Sequence, residues 1–382
     1  MRIVYCIDSI NNVGGIQQVT AVKANALAEV PGNEVWMLVA DNSGKRVFEV
    51  SPKVRIVDLG VDYYVDDWKS RWNVLKGIFL KRWLHRKRVT EALKTIDPDV
   101  LVSVGQSEKN FLPRIKGKWL RIREIHYLKD YRWKAASSLF DKMLALAGDL
   151  RDYVFSINKY DSIVVLTEED KESNWKGNPK VVVIPNPVNV KRGICSKLDA
   201  KRVIAVGRLV PQKNFASLIN SFRKVSMKHP DWCLDIYGEG PEREMLQRLI
   251  SELSLDDKVR LNGNSHRVSG EMVDSSILAM TSRFEGFGVV LIEAMSVGLP
   301  VVSYACPCGP KDIITDGIDG FLIPPGNEDV LAERLCELIE DESKRESMGK
   351  AALASVGRFD IDRIVQLWMD LFRKDEDSHS HI

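Results

Sequence analysis

Two α/β domains in tandem, each a parallel sheet with helices on its faces, are the fold class the sequence predicts. Three observations predict it. Apolar runs of strand length alternate with helical stretches from the start of the chain, as in residues 3–7, 17–30 and 35–40, and that β–α–β order argues parallel pairing. The pattern opens again at residues 203–206, after a strand ended by two prolines and a polar stretch. A chain of 382 residues is long enough for two domains of ordinary size.

Composition removes several classes. Hydrophobic residues make up 45% of the chain, so a sizeable core is available. The formal net charge is +2, which carries no global polyanion signature, and no nucleic-acid partner is expected. The six cysteines (Cys6, Cys195, Cys233, Cys306, Cys308, Cys336) are scattered, and Cys306-Pro307-Cys308 is too close for the usual zinc spacing. They read as reduced thiols of a cytoplasmic protein. The opening strand is too short for a signal-peptide core, and no run of 18 apolar residues offers a membrane span. His379 and His381 lie in a polar tail over 375–382.

In the first half, Gly14-Gly15 stands between the first strand and its helix, where free N–H groups suit a phosphate; a plain flexible turn has the same sequence. The absence of Gly-x-Gly-x-x-Gly argues against an ordinary nicotinamide-cofactor domain. Residues 69–94 carry nine Lys or Arg against one acid, Glu91, with Trp72, Leu75, Phe79 and Trp83 on one helical face. Basic residues with aromatic anchors suit an anionic membrane surface, and Trp72, Phe79, Arg82 and Trp83 are the expected contacts. A surface helix whose stripe packs on the sheet is the other reading, and Lys76 and Arg86 intrude near the stripe.

Asp97-Pro98-Asp99 has the form of a metal-binding Asp-x-Asp. It precedes the strand at 100–104, whereas ligands of open α/β sheets gather at carboxyl ends, so it reads as a turn and no metal site is expected. The strand at 119–125 ends in an unusually polar cluster, Arg121, Arg123, Glu124 and His126. Residues 136–158 read as mostly helical, and 162–166 as a strand. The strand beginning at Val181 closes on Pro185 and Pro187, and domains are expected over 1–190 and 191–357, with a final helix over 358–374.

The second half repeats the alternation with strands at 203–206, 233–237, 259–262, 277–280, 301–304 and around 320. Gly207-Arg208 follows the first of these, and Lys213 closes its loop. A guanidinium fork and a point charge at a strand end can together neutralise a diphosphate. Gly238 and Gly240 follow the next strand, and Asn264 follows the third. The chain is organised around 284–300. There Gly286 and Gly288 make a tight turn after a buried strand, and 289–297 reads as a helix stopped by Gly298 and Pro300. Glu285 sits in the turn and Glu293 on the helix. Leu291, Ile292, Ala294 and Met295 flank Glu293, a setting that suits a buried, partnered carboxylate.

Glu285 and Glu293, within Phe-Glu-Gly-Phe-Gly, four residues, then Glu-Ala-Met, resemble the Glu-x7-Glu signature of the retaining GT-B glycosyltransferases of family 4. The Gly-Arg-x-x-x-x-Lys string at 207–213 and Ile184-Pro-Asn-Pro-Val188 resemble further motifs of that family in their expected order. The resemblance implies two facing Rossmann-like domains with an active-site cleft between them, and a last helix that crosses back to the first domain. It implies that Arg208 and Lys213 hold the donor phosphates, and that Glu285, Gly286, Phe287, Gly288 and Val289 line the sugar. Glu293 would bind ribose hydroxyls, with Gly207, Gly238, Gly240 and Asn264 flanking the nucleotide. Gly14 and Gly15 would lie beneath the donor diphosphate, and His126 beside the sugar. The activity so implied is metal-free transfer of a hexosyl or N-acetylhexosaminyl unit from a UDP-sugar. The implied acceptor is a polyprenyl-linked or cell-surface glycan, met at the inner face of the plasma membrane. The alternatives are a UDP-sugar epimerase or hydrolase of the same fold, and a non-catalytic nucleotide-sugar sensor.

Overall fold

A computed structural model describes residues 1–11, 14–42, 48–61, 63, 71–129, 131–136, 138–190 and 193–379, and only the backbone of 71–79, 134–135 and 374–379. It divides into two units. Met1–Leu166, Lys171–Pro187 and Ile361–Ile382 form the first; Thr167–Asp170 and Val188–Asp360 form the second.

The first unit is built on a seven-stranded sheet. Its strands are β1 (Arg2–Ser9), β2 (Glu34–Asp41), β3 (Val54–Asp58), β4 (Val100–Ser103), β5 (Leu120–Glu124), β6 (Ser162–Val165) and β7 (Val181–Val183). Their order is β3-β2-β1-β4-β5-β6-β7, and every pairing is parallel. Both faces are covered, which is why β4 and β6 are buried along their whole length. Alternate residues of β1 serve opposite layers. Ile3, Tyr5 and Ile7 pack with Leu27 and with Ile364 and Trp368 of the C-terminal helix Ile361–His379. Val4 and Cys6 pack with Val89 and Leu93 of the helix Arg71–Ile96.

The sequence reading does not anticipate β3. It is a half-exposed edge strand with Arg55 and Asp58 among its five residues, so it carries no apolar run. Cross-strand pairing supplies what the pattern lacks: Arg55 Nη1 lies 2.9 Å from Glu34 Oε2 of β2.

The second unit holds a six-stranded parallel sheet of order β10-β9-β8-β11-β12-β13. Its strands are β8 (Arg202–Val206), β9 (Cys233–Tyr237), β10 (Val259–Gly263), β11 (Ile277–Met280), β12 (Val301–Tyr304) and β13 (Gly320–Ile323). Leu218 and Phe222 of the helix Phe215–Lys228, Leu246 of Arg243–Glu252 and Leu335 of Glu328–Glu340 pack on Leu234, Ile236 and Val302. All six cysteines are free, and Cys6, Cys306, Cys308 and Cys336 are buried. Among the described residues, no helix is long and apolar enough to cross a membrane. In each sheet the strand order reverses once, between β1 and β4 and between β8 and β11. Such switch points open a crevice at the carboxyl ends of the strands, where ligands bind.

Candidate active site

In the second unit the loops after β8 and β11 run side by side at the switch point. Arg283 N donates to Gln212 O at 2.8 Å and Gln212 Nε2 to Phe284 O at 2.8 Å. Thr281 Oγ1 donates to Lys213 O at 3.2 Å. This stitching carries Lys213 Nζ to 2.5 Å from Glu285 Oε1, and Ser282 Oγ donates to the same oxygen at 2.6 Å. Glu285 is buried, and a buried carboxylate persists only with such partners. Arg208 is exposed, and its guanidinium has no hydrogen-bond or ion-pair partner among the described residues. Lys213 thus uses one of its three N–H donors on Glu285, and Arg208 is open to a ligand.

The glycines around this seam bring backbones into contact. A Cβ on Gly238, at φ +143°, would fall 1.9 Å from Gly207 O, so the loops after β8 and β9 meet only because residue 238 has no side chain. Gly240 lies in the same β9 loop, where Glu239 O accepts from Leu209 N at 2.9 Å. A Cβ on Gly309, at φ +110°, would fall 1.7 Å from Phe287 O. That contact, with Glu285 N donating to Pro307 O at 2.7 Å, locks the Glu285–Gly288 turn against the loop after β12. Gly309→Ala is expected to displace the turn and destabilise the protein by about 1–3 kcal/mol. Thermal melts measure this, with Gly357→Ala, where a Cβ meets nothing within 4 Å, as control.

Gly288 stands at the N-cap of the helix Val289–Ser296, whose first turn carries no acid and no side-chain cap. Its N–H groups and dipole face the same crevice. Phe287 is buried edge-to-face on Phe359, with ring centroids 5.6 Å apart. The helix also carries Glu293. Its apolar neighbours are buried, but Glu293 itself is only partly so, because that side of the helix leaves the core. Glu293 is thus intermediate in exposure and has an interaction partner, close to the partnered setting expected from its flanks. Asn264 is exposed just beyond β10.

In the first unit, Gly14 is the uncapped N-cap of the helix Gly15–Glu29, and a Cβ on Gly15 would meet nothing within 4 Å. His126 follows β5 with its side chain 3% exposed, and its Nε2 lies 3.0 Å from Glu124 Oε1. The same carboxylate oxygen is paired with Lys23, and both of those side chains are 1% exposed. Burial pushes the Glu124 carboxyl up, but Lys23 and His126 outweigh it and hold it down at about 2. Burial lowers the His126 pKa against the pull of Glu124, so the imidazole is neutral at neutral pH.

Sequence reasoning missed a carboxylate pair at the β1/β4 switch point. Asp8 accepts from Gln106 N at 2.7 Å and from Ser107 N at 3.0 Å. Glu108 is buried beside it, accepting from Ser103 Oγ at 3.0 Å, with Arg123 Nη1 at 3.8 Å. Nothing in the local sequence pairs Asp8 with Glu108; the sheet order does. Burial, then the Asp8 charge, push the Glu108 carboxyl up to about 7 from 4.5. A raised carboxyl pKa stabilises the fold fully below the unfolded value, and that contribution is lost as pH rises through about 7. Glu108→Gln is therefore expected to flatten the loss of melting temperature between about pH 5 and 8. Thermal melts across that range test it, and an unchanged slope overturns it.

Among the described residues a metal-compatible group occurs at His229, Cys336 and Glu340. These lie at or near the C-terminal ends of helices that return along the sheet, away from the crevice.

Two parallel sheets of Rossmann type, each with one switch point, are the architecture of the GT-B fold. Residues 191–354 match the family described as glycosyl transferases group 1. The chain is 31% identical over 83% of its length to the exopolysaccharide phosphotransferase SCO2592 of Streptomyces coelicolor, and spans about a third (32%) of that relative. It is 26% identical to the amylovoran biosynthesis glycosyltransferase AmsD of Erwinia amylovora, over 97% of this chain and 99% of that one. Anabaena Alr3699/HepE, solved in complex with UDP, superposes with a TM-score of 0.75 at 18% identity, covering 98% of this chain and all (100%) of the other.

Proposed function

We propose that the chain is a family 4 retaining enzyme that moves a hexosyl or N-acetylhexosaminyl unit from a UDP-sugar to a lipid-linked or cell-surface glycan without a metal. The observation that carries this reading is Arg208, without a side-chain partner among the described residues, on the same loop as Lys213 of the Lys213–Glu285 pair at the second switch point. As the sugar–oxygen bond to the diphosphate breaks, negative charge grows on the leaving oxygen. Arg208, Lys213 and the N–H groups over Gly286–Gly288 stabilise it, which is the role a divalent cation would otherwise fill. No nucleophile is assigned. The acceptor oxygen attacks from the leaving-group face, and its proton passes to the departing phosphate.

Glu285 orients Lys213 and accepts from sugar hydroxyls. Glu293, half-exposed, accepts from the ribose diol. Gly207, Gly238, Gly240 and Asn264 border the nucleotide, with Gly14, Gly15 and His126 serving the sugar and acceptor side. The UDP-bound neighbour supports the nucleotide, and the amylovoran enzyme supports a surface glycan as product.

The protein works on this reading at the cytoplasmic face of the plasma membrane, against anionic lipid. The side chains of Trp72 and Phe79 lie outside the described residues. Trp83 is 60% exposed with Lys87 Nζ 5.6 Å from its ring centre, and Arg82 is half-buried beside it.

The test is UDP release from UDP-glucose, UDP-galactose, their N-acetyl forms and UDP-glucuronate, with GDP-mannose as control. Each is run with and without a polyprenyl-linked glycan extract, in the presence of EDTA. Acceptor-dependent release from one donor is expected. Release that ignores the acceptor would assign an epimerase or hydrolase. Tight UDP-sugar binding without release would assign a sensor, and loss of activity in EDTA would overturn metal independence.

A further inference from the structure

The helix Leu139–Leu150 and the π-helical turn Arg151–Ser156 that continues it present an apolar face that the fold does not use. Eight large apolar side chains between 139 and 155 are half exposed or more, among them Leu139 at 79%, Phe140 at 67%, Met143 at 65% and Phe155 at 58%. The helix buries only Ala145, and the turn only Asp152 and Ser156. Leu139, Met143, Leu146 and Leu150 fall on one stripe, with Phe140 and Leu144 beside it. An apolar surface of this extent on a water-soluble face marks an interaction site. The helix is nonetheless well made, because Ser138 and Asp141 form a capping box at its start.

The charges around this face say what covers it. Its acids are neutralised internally. Asp141 is in the cap; Asp149 lies 3.0 Å from Arg132; Asp152 is held by Lys109 at 2.7 Å, Arg132 at 2.5 Å and Arg151 at 3.0 Å. The cations are left facing outward. Arg151 is half-exposed, and Lys142 Nζ lies 5.3 Å from the ring centre of exposed Trp133. Arg82 of the helix Arg71–Ile96 interacts electrostatically with Arg151, Asp152 and Arg114; because Lys109, Arg132 and Arg151 all meet Asp152, the neighbourhood keeps a positive excess. Exposed Leu80 and Trp83 flank Arg82, which joins the two apolar exposures across this arginine cluster. Three like charges beside a wide apolar face are complementary to lipid phosphates above acyl chains, not to a neutral or basic protein surface.

We infer that the Leu139–Phe155 face lies in the interface of an anionic bilayer, with Arg82, Arg114 and Arg151 at the headgroups. This rests on the membrane reading above and moves its principal contact from the Trp72–Trp83 stretch to a segment the sequence does not single out.

The full chain is floated with vesicles of phosphatidylethanolamine and phosphatidylglycerol, and with phosphatidylcholine alone. Wild type is expected to float with the first and not the second. Phe140→Ser with Leu144→Ser, or Met143→Lys alone, is expected to cut the bound fraction at least ~tenfold, and Arg151→Gln to lower the bound fraction at low salt and make it less salt-dependent. Leu80→Ser with Trp83→Ser is expected to cost less. A retained UDP-induced rise in melting temperature shows that each variant is folded. Flotation of wild type and of both 140–144 variants alike overturns the face while keeping the membrane reading. Failure of wild type to float overturns both. A wild-type dimer that the same variants convert to monomer assigns the face to a second copy and overturns the bilayer.

Discussion

Glu124→Ala is expected to destabilise the first unit by about 3–5 kcal/mol, because it leaves Lys23 buried without its counter-charge. Lys23 comes from the helix Gly15–Glu29, Glu124 from the end of β5 and His126 from the loop beyond, and Lys23 also lies 4.9 Å from the ring centre of Trp368. Glu124 Oε2 and Tyr5 Oη are buried nearby without hydrogen-bond partners among the described residues, so the ion pair is the main compensation for that desolvation. The pH signature has a definite sign. The folded pKa, about 2, is depressed from 4.5, so the stabilisation is present above the unfolded value and lost as pH falls through 4.5 towards 2.

Hydrogen exchange of the β5 amides measures the effect in the intact chain. Lys23→Met with Glu124→Gln, which removes both charges, is expected to recover most of the loss. Lys23→Met alone is expected to raise the His126 pKa, since the imidazolium then becomes the only counter-ion, and ¹⁵N shifts of His126 report it. A Glu124→Ala protein as protected as wild type would sink the account.

Glu285→Gln is expected to lower transfer by about 10²–10³-fold while UDP affinity holds or tightens. The amide keeps the shape and the Ser282 contact but cannot hold Lys213 as an ion pair. Lys213 is then freed towards the diphosphate, which favours the product UDP, and the sugar loses its strongest acceptor. Steady-state kinetics with the identified donor, together with calorimetry of UDP, separate the two effects. Turnover near wild type would remove Glu285 from the catalytic machinery. A parallel loss of UDP affinity would make its role one of holding the loop.

Much of this architecture is legible along the chain, and the failures have physical causes. Strands buried on both faces announce themselves as short apolar runs, so β9, β11 and β12 read to the residue. Edge strand β3 does not, because half of it faces water. The segment 136–158 reads as helix, yet its exposure is invisible. An apolar stripe has the same sequence whether or not a core covers it. Glu293 is less buried than its flanks, because apolar neighbours along a helix do not fix the burial of the residue between them.

The sequence by itself determined the alternation of strands and helices, the break after Pro187, and the glycine turn before Val289 with Glu285 inside it. These depend on local backbone preference and on periods of two and of three to four residues. Only the tertiary structure decided which charges meet. Lys213 and Glu285 are 72 positions apart, Lys23 and Glu124 are 101, and Asp8 meets the amide of Gln106 across 98. No periodicity links such residues. The parallel sheet does, by delivering the ends of strands distant in sequence to one edge, where desolvation makes Lys, Asp and Glu depend on such partners.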